Sequence, residues 1–318
     1  MNLQQFRFVA EAARRGLNLT ETAKALHTSQ PGVSKAILEL EEELGVDIFS
    51  RHGKRLRRIT EPGQQVLKSI DVILREVGNL RRIGEEFSRQ DSGQLSIATT
   101  HTQARYVLPA PLAQLRRQFP RLQIGLHQGD PQQVAQMVLD ETAVIGLATE
   151  SLEEFEGLVS LPWYEWQHVA VMPRDHPLAQ SARGDLDLSL EDLSGQPLVT
   201  YHPRFTGRSR IDRSFAARGL QPQVVLEAID ADVIKTYVRF GLGVGIVAEM
   251  AMREESPDSD LVMRPLGHLF GQNVARVAFK RGVLLRQHVK VFAALLSERL
   301  AEPLLMRALS GDASHFDL

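Results

Sequence analysis

Two clusters of polar and basic side chains in this 318-residue chain could do chemistry. The first lies within residues 19–58. Gln30, Pro31, Ser34 and Lys35 open a stretch in which Val33, Ile37, Leu40 and Leu44 recur at spacings of 4, 3 and 4. That spacing draws one apolar stripe along a helix over 30–44. Pro31, Ser34 and Lys35 fall away from the stripe and Gln30 lies at its border. Such a helix can enter the major groove of DNA with its first residues at base edges. Just beyond it come Arg51, Lys54, Arg55, Arg57 and Arg58, with no acid among them. Two short apolar runs around a His52-Gly53 turn carry these cations and read as a hairpin. Five cations there can neutralise phosphates and release counterions. A plain packing unit with a solvated basic loop is the rival reading, and it leaves the small polar face of the helix without a purpose.

The second cluster follows an apolar run, LSIATT, which ends in Thr99-Thr100-His101-Thr102-Gln103 ahead of a helical stretch. Open α/β sheets bind ligands beyond the carboxyl ends of their strands. A helix N-terminus there adds free N–H groups and partial positive charge, which suit an anion. Thr100, Thr102 and Gln103 supply three uncharged donors. Taken alone, Thr100 or Thr102 could simply cap the helix. Other strand ends bring Gln128, Thr149 and His202, and Thr206 precedes a further helix. Neutral donors converging in this way fit a small polar or anionic ligand held by hydrogen bonds. Asp230 reads as a helix cap in preference to a ligand contact.

The elements that must hold the first cluster are an amphipathic helix with Leu3, Phe6, Val9, Ala10 and Ala13 inward, and a short helix over 20–26. The helix over 30–44, stopped by Gly45, and the basic hairpin complete them. Together they predict an all-α winged helix-turn-helix over 1–60. Thr60-Glu61-Pro62 then signals a helix start. Val66, Ile70, Ile73, Val77 and Leu80 recur every 3.5 residues on average, the seam of a two-stranded coiled coil, so 61–88 reads as a dimerisation helix. After a short polar linker, strands and helices alternate over 93–302, which predicts parallel α/β layers. Strands are expected at 95–99, 122–128, 144–148, 169–172, 198–200, 224–227, 244–248 and 274–279. Helices are expected at 103–118, 132–140, 208–218, 231–240 and 285–300, with 158–166 a connection. Two Rossmann-like lobes follow, one of 93–162 with 268–302 and one of 163–267, with a cleft between them. Residues 310–318 are polar and read as frayed.

Composition narrows the function. Residues 1–60 hold ten Lys/Arg against seven Asp/Glu in a chain whose net charge is −2, so the head is basic and the body acidic. Without cysteine there are no disulfides and no thiolate chemistry. No run of about 18 apolar residues suggests a membrane span. The first residues lack a signal-peptide pattern, which points to the cytoplasm. No metal-ligand spacing, nucleophile motif or phosphate loop is present, so neither an enzyme nor a bound cofactor is expected. Gly241, Gly243 and Gly245 follow a helix and precede a strand, the reverse of a dinucleotide loop. Paired acids such as Glu153-Glu154 and Glu41–Glu43 read as solvated faces.

The head, through TSQPGVSKAILELEEELGVDIFSR (28–51), resembles the LysR-type transcriptional regulators. Over the remainder the chain is similar to their effector domain, which has the type 2 periplasmic-binding-protein fold. IATTHTQARYVLP (97–109), HQGDPQQVA (127–135), FTGRS (205–209) and DADVIKTYVRFGLGVGI (230–246) narrow the resemblance to CysB-type regulators of sulfur assimilation. The resemblance implies promoter DNA and RNA polymerase as partners and a homodimer or homotetramer. It implies an acetylserine-type inducer, with sulfate or thiosulfate as competing anions. By position it makes Gln30, Pro31, Ser34 and Lys35 base-reading residues and Arg51 and Lys54 phosphate contacts. It places Thr100, Thr102, Gln103 and Thr149 at anion-binding positions. One departure bears on the ligand: YHPRFTGRS stands where the family's best-known members carry YTFGFTGRS, so His202 and Arg204 are distinctive here.

Overall fold

A computed structural model of the chain describes residues 1–53, 55–88, 93–180, 188–205, 207–253 and 260–309, apart from the side chains of 85–88 and 149–151. The expected frayed end, 310–318, lies outside these residues, as does most of the linker. The chain forms two compact units, Met1–Ser88 and Arg89–Leu318.

In the first unit, α1 (Leu3–Arg14) starts at Asn2, whose side chain accepts from Gln4 and Gln5 N–H. Asn18 and Ser29 cap α2 (Leu19–Ala25) and α3 (Gln30–Leu44) in the same way. These caps satisfy N–H groups that have no partner inside the helix. Gly45 ends α3 at φ 70°, in the left-handed region. β1 (Phe49–His52) and β2 (Arg55–Ile59) pair antiparallel as the expected hairpin. α4 (Glu61–Ser88) begins with Thr60 Oγ1 accepting the Gly63 N–H at 2.9 Å. Phe6, Val9, Val33, Ile37, Leu40, Ile48, Phe49 and Ile70 form one core.

Three details depart from expectation. Leu3 and Leu44 are exposed, because each lies in a terminal turn beyond the packed part of its helix. The seam expected along α4 divides. Val66 and Ile70, with Leu67 and Leu74, pack into the core of their own unit. Val72, Ile73, Leu80 and Ile83 remain exposed.

Among the described residues, the second unit is built on nine strands. They are β3 (Gln94–Thr99), β4 (Gln123–Gln128), β5 (Ile145–Thr149), β6 (Leu158–Pro173), β7 (Pro197–Tyr201), β8 (Gln223–Ala228), β9 (Val244–Ala248), β10 (Leu261–Pro265) and β11 (Gln272–Lys280). The order is β4-β3-β5-β11-β6-β9-β7-β8, with β10 on β6. β3 pairs parallel with β4 and β5, and β7 pairs parallel with β8 and β9. These triplets define two lobes, joined by the long antiparallel pair β6 and β11. The helices are α5 (His101–Tyr106), α6 (Pro109–Gln118), α7 (Pro131–Leu139), α8 (Pro177–Gln180), α9 (Leu190–Ser194), α10 (Arg208–Ala217), α11 (Ala231–Arg239), α12 (Gly267–Phe270), α13 (Gln287–Leu296) and α14 (Glu302–Leu309).

The expected connection 158–166 and strand 169–172 are one sixteen-residue strand. Pro162 hid this continuity: opposite it, β11 shifts register between Ala275 and Arg276. The helix expected over 103–118 is two helices, because Pro109 has no N–H to continue α5 and starts α6 instead. The helix expected over 285–300 is shorter, and α14 beyond it supplies buried Leu305 and Ala308. Gly241 and Gly243 do turn the chain between α11 and β9, at φ 77° and 152°.

Candidate functional sites

In the first unit, the turn before α3 passes through His27 at φ 50° and leaves the start of α3 accessible. Pro31 and Lys35 are exposed and Gln30 and Ser34 half-buried. Lys35 reaches Glu39 only at 3.7 Å, an exposed pairing that holds the side chain weakly. In the hairpin, Leu56 is buried and Arg55, Arg57 and Arg58 are exposed. Lys54 lies outside the described residues.

Arg51 is placed differently from its hairpin neighbours. Its Nη2 lies 2.7 Å from Glu41 Oε2, and the Glu41 side chain is only 4% exposed. The other oxygen of Glu41 accepts the N–H groups of Ile48 and Phe49, each at 2.9 Å. Glu41 is therefore not part of a solvated acidic face. The chain folds back after Gly45, and the carboxylate satisfies two N–H groups that this fold buries. The hairpin is thus fixed to the last turns of α3 by one charged group.

In the second unit, Thr100, Thr102 and Gln103 meet Trp166, Tyr201, Phe205, Ala248 and Met250 around a cavity of about 30 Å³. That exceeds the ~10–15 Å³ that one water requires. β3 delivers Thr100 at its carboxyl end, where the Thr100 N–H donates to Leu147 O at 3.3 Å. Thr100 is the residue before α5, yet its side chain makes no capping bond. Gln103 is 2% exposed, and its Oε1 accepts the Tyr164 hydroxyl at 2.5 Å. Its amide N–H₂ is thereby oriented as a donor. Tyr201 accepts the Ala248 N–H at 3.2 Å, and its phenol is pushed up to about 12, chiefly by burial. Trp166 is 4% exposed, and its indole N–H has no partner among the described residues. A buried donor left unpaired costs about 1–3 kcal/mol, so it suits an acceptor on a bound ligand. Among the described residues, no charged side chain lines the cavity.

The other expected residues fall elsewhere. Gln128 ends β4 in register with Thr99 but is exposed and is not part of the lining. His202 is exposed, and its Nδ1 accepts the Arg204 N–H at 3.3 Å. Thr149 ends β5, with its side chain outside the described residues, as is the whole of Thr206. Asp230 caps α11, accepting the Val233 N–H at 2.8 Å. Trp166 and Tyr201 are lining residues that the sequence reading did not select. Tyr201 ends β7, directly before His202, and Trp166 lies within the expected connection 158–166.

A tie between the lobes lies near the cavity. The Tyr106 hydroxyl of α5 donates to Asp232 Oδ1 of α11 at 2.6 Å. Lys235 lies 3.3 Å from the same oxygen and donates to Ala251 O at 2.9 Å. Burial works to raise the Asp232 pKa, but the Tyr106 and Lys235 hydrogen bonds outweigh it and hold the carboxyl below its ordinary value.

Behind Trp166 sits His168, fully buried, with Nδ1 3.4 Å from the Asn273 amide nitrogen. Burial, with a smaller push from Arg210, lowers its pKa to about 3. The folded chain therefore keeps this ring neutral, while an unfolded chain takes up the proton near 6.5. The resulting stability is complete above that value and is lost as pH falls toward about 3. The wild-type second unit should lose more melting temperature between about pH 7 and about pH 4.5 than His168→Gln does. Equal losses in differential scanning calorimetry would rule this out.

Comparison with known proteins matches both units. Residues 3–64 match the bacterial regulatory helix-turn-helix protein, lysR family, and residues 88–301 match the LysR substrate binding domain. The chain is 54% identical over 318 residues to the HTH-type transcriptional regulator CysB of Burkholderia cenocepacia, covering all of both chains. It is 48% identical over 312 residues to the HTH-type transcriptional regulator SsuR of the same organism, covering 97% of this chain and 100% of that one. The solved cofactor-binding domain of the Cbl transcriptional regulator is 43% identical with a TM-score of 0.64, covering 69% of this chain and 94% of that one.

Proposed function

Because the chain belongs to the LysR-type transcriptional regulators, a family of DNA-binding proteins and not enzymes, we propose that it controls genes of sulfate assimilation and cysteine biosynthesis. The ligand is a sulfur oxyanion or an acetylserine, and it sits between the lobes. The observation that carries this reading is the lining of the small cavity. Among the described residues, hydroxyl, amide and indole donors converge there with no charged side chain, and the Trp166 N–H is left without an acceptor. Such a site pays the desolvation cost of a small oxyanion through several hydrogen bonds at once. The likeness to CysB over the full length supports the same pathway.

The mechanism is a population shift. A ligand touching Thr100 and Gln103 of one lobe and Tyr201 of the other binds best at one lobe spacing, and only such differential affinity can move the equilibrium. Subunits pair through exposed apolar residues of α4, and paired heads read two half-sites about a helical turn apart. RNA polymerase is the partner at the promoter, and the protein works in the cytoplasm. Gln30, Pro31, Ser34 and Lys35 read bases, and the exposed hairpin arginines hold phosphates.

Calorimetric titration with sulfate, thiosulfate, O-acetylserine and N-acetylserine tests the ligand. Thr100→Ala should weaken the ligand that binds by about tenfold, the loss of one hydrogen bond to a charged group. No binding of any of the four by a protein that still binds DNA would move the pathway elsewhere. Organosulfur use is then the next reading, with His202 and Arg204 the first residues to substitute. On DNA, Arg57→Ala should flatten the dependence of log affinity on log salt by about 0.9, one phosphate contact. An unchanged slope in fluorescence anisotropy would remove Arg57 from the interface.

A further inference from the structure

The bond between Tyr106 and Asp232 sits one helical turn from the small cavity. α5 carries Thr102 and Gln103, which line that cavity, and Tyr106, which does not. Tyr106 follows Gln103 by three residues, so the two are neighbours on one helix surface. Where Tyr106 is held, Thr102 and Gln103 are held with it.

What holds Tyr106 belongs to the other lobe. Its ring packs against apolar clusters of both lobes. Its hydroxyl donates to Asp232 Oδ1 at 2.6 Å, a charge-assisted bond. The acceptor is itself well anchored. Lys235, on the next turn of α11, stands 3.3 Å from the same oxygen, and Arg105 Nε stands 3.5 Å from the other. The Lys235 side chain is 6% exposed and donates to Ala251 O at 2.9 Å. Its ammonium also lies 5.3 Å from the centre of the Tyr106 ring, within cation–π range. Asp232 therefore keeps a counter-charge on its own helix whether or not the tyrosine hydroxyl is present. At this lobe spacing Thr100, Thr102 and Gln103 of one lobe and Tyr201 and Phe205 of the other surround one cavity.

We propose that the Tyr106–Asp232 bond is a latch that holds the lobes at the spacing where donors from both converge. It thereby sets the share of molecules ready to bind. Tyr106 is a positioning residue, acting on a ligand that it does not touch. The inference rests on the small cavity being the ligand site. Apparent affinity scales with the fraction of molecules at the competent spacing. Losing one half-exposed, charge-assisted hydrogen bond moves that balance by about three- to tenfold.

The test uses the full chain and two readouts. Trp163 and Trp166 are the two tryptophans of the sequence; both are buried, and Trp166 lines the cavity. Opening of the cleft is therefore read by acrylamide quenching of the intrinsic fluorescence, before any ligand is added. Tyr106→Phe should raise the quenching constant about twofold. Asp232→Asn, which keeps an acceptor for the hydroxyl, should fall between that variant and wild type, and Thr100→Ala should match wild type. In calorimetry, sulfate should bind Tyr106→Phe about two- to tenfold more weakly than wild type. Saturating sulfate should return the quenching of Tyr106→Phe to the wild-type value. Equal quenching in Tyr106→Phe and wild type overturns the latch even if the melting temperature falls, because a merely structural bond acts on stability alone. Raised quenching at an unchanged sulfate affinity overturns it as well. If wild type binds no sulfate, the sulfate reading fails on its own, and the quenching alone decides the latch.

Discussion

Glu41→Ala is expected to unfold the DNA-binding unit well before the effector unit. The carboxylate serves three donors, Ile48 N–H, Phe49 N–H and the Arg51 guanidinium. Alanine leaves two buried N–H groups unpaired and one guanidinium without its counter-charge. Removing one member of a buried pair costs ~3–5 kcal/mol. Arg51 is 21% exposed, so water recovers part of that, and a loss of about 2–4 kcal/mol is expected. DNA affinity falls with it, because the hairpin is no longer held against α3. Ligand titration of the second unit stays as in wild type. Glu41→Gln keeps an acceptor for the backbone and should fall between the two. A Glu41→Ala head within about 0.5 kcal/mol of wild type in urea unfolding would show that the clamp contributes nothing.

The second large effect is expected at Gly207. Its φ is 85°, a conformation that side chains with a Cβ avoid at a cost of about 1–2 kcal/mol. A Cβ there would also lie 2.3 Å from His168 Nε2 and 2.4 Å from its Cε1. His168 cannot retreat: it is fully buried, edge-on to Trp166 at 5.0 Å and to Phe270 at 5.9 Å. Overpacking of this kind adds ~1–3 kcal/mol. Gly207→Ala should therefore cost the second unit about 3 kcal/mol or more and weaken ligand binding, since Trp166 lines the small cavity and bears on His168. Combining it with His168→Ala separates the causes. The double variant relieves the collision but keeps the backbone strain, so its melting temperature should be higher than expected from summing the single losses. Strict additivity would deny the collision.

The head was the most legible part of the chain. Val33, Ile37 and Leu40 lie on one helix face, so local periodicity suffices to find α3 and to leave Pro31 and Lys35 outside. Glu41 escaped because burial of an acid depends on where the chain returns, seven and eight residues later, and spacing does not encode that. The α/β body was legible as alternation, and Thr100, Thr102 and Gln103 as donors at a strand end. Trp166 escaped for a different reason. It lies in a long strand where the two-residue alternation that betrays half-buried strands lasts only from Glu165 to His168, between runs that are almost wholly buried. Pro162 then broke the apolar run into apparent pieces. His202 was drawn in by its place after a strand, but its ring folds onto the Arg204 N–H and stays out of the small cavity.

The crossing pair of strands has a consequence for how the body could have been assembled. Gln167 of β6 and Gln272 of β11 face each other in register, and everything between them is the second lobe. That lobe is a parenthesis in the first one, opened and closed at adjacent residues. An insertion of that form adds little chain-closure entropy, which grows only logarithmically with loop length. The host lobe would thus have tolerated the guest, and a short turn joining the two glutamines would restore a plain hairpin. Sensing lobes could then be exchanged in evolution as cassettes, with the rest of the chain left unaltered.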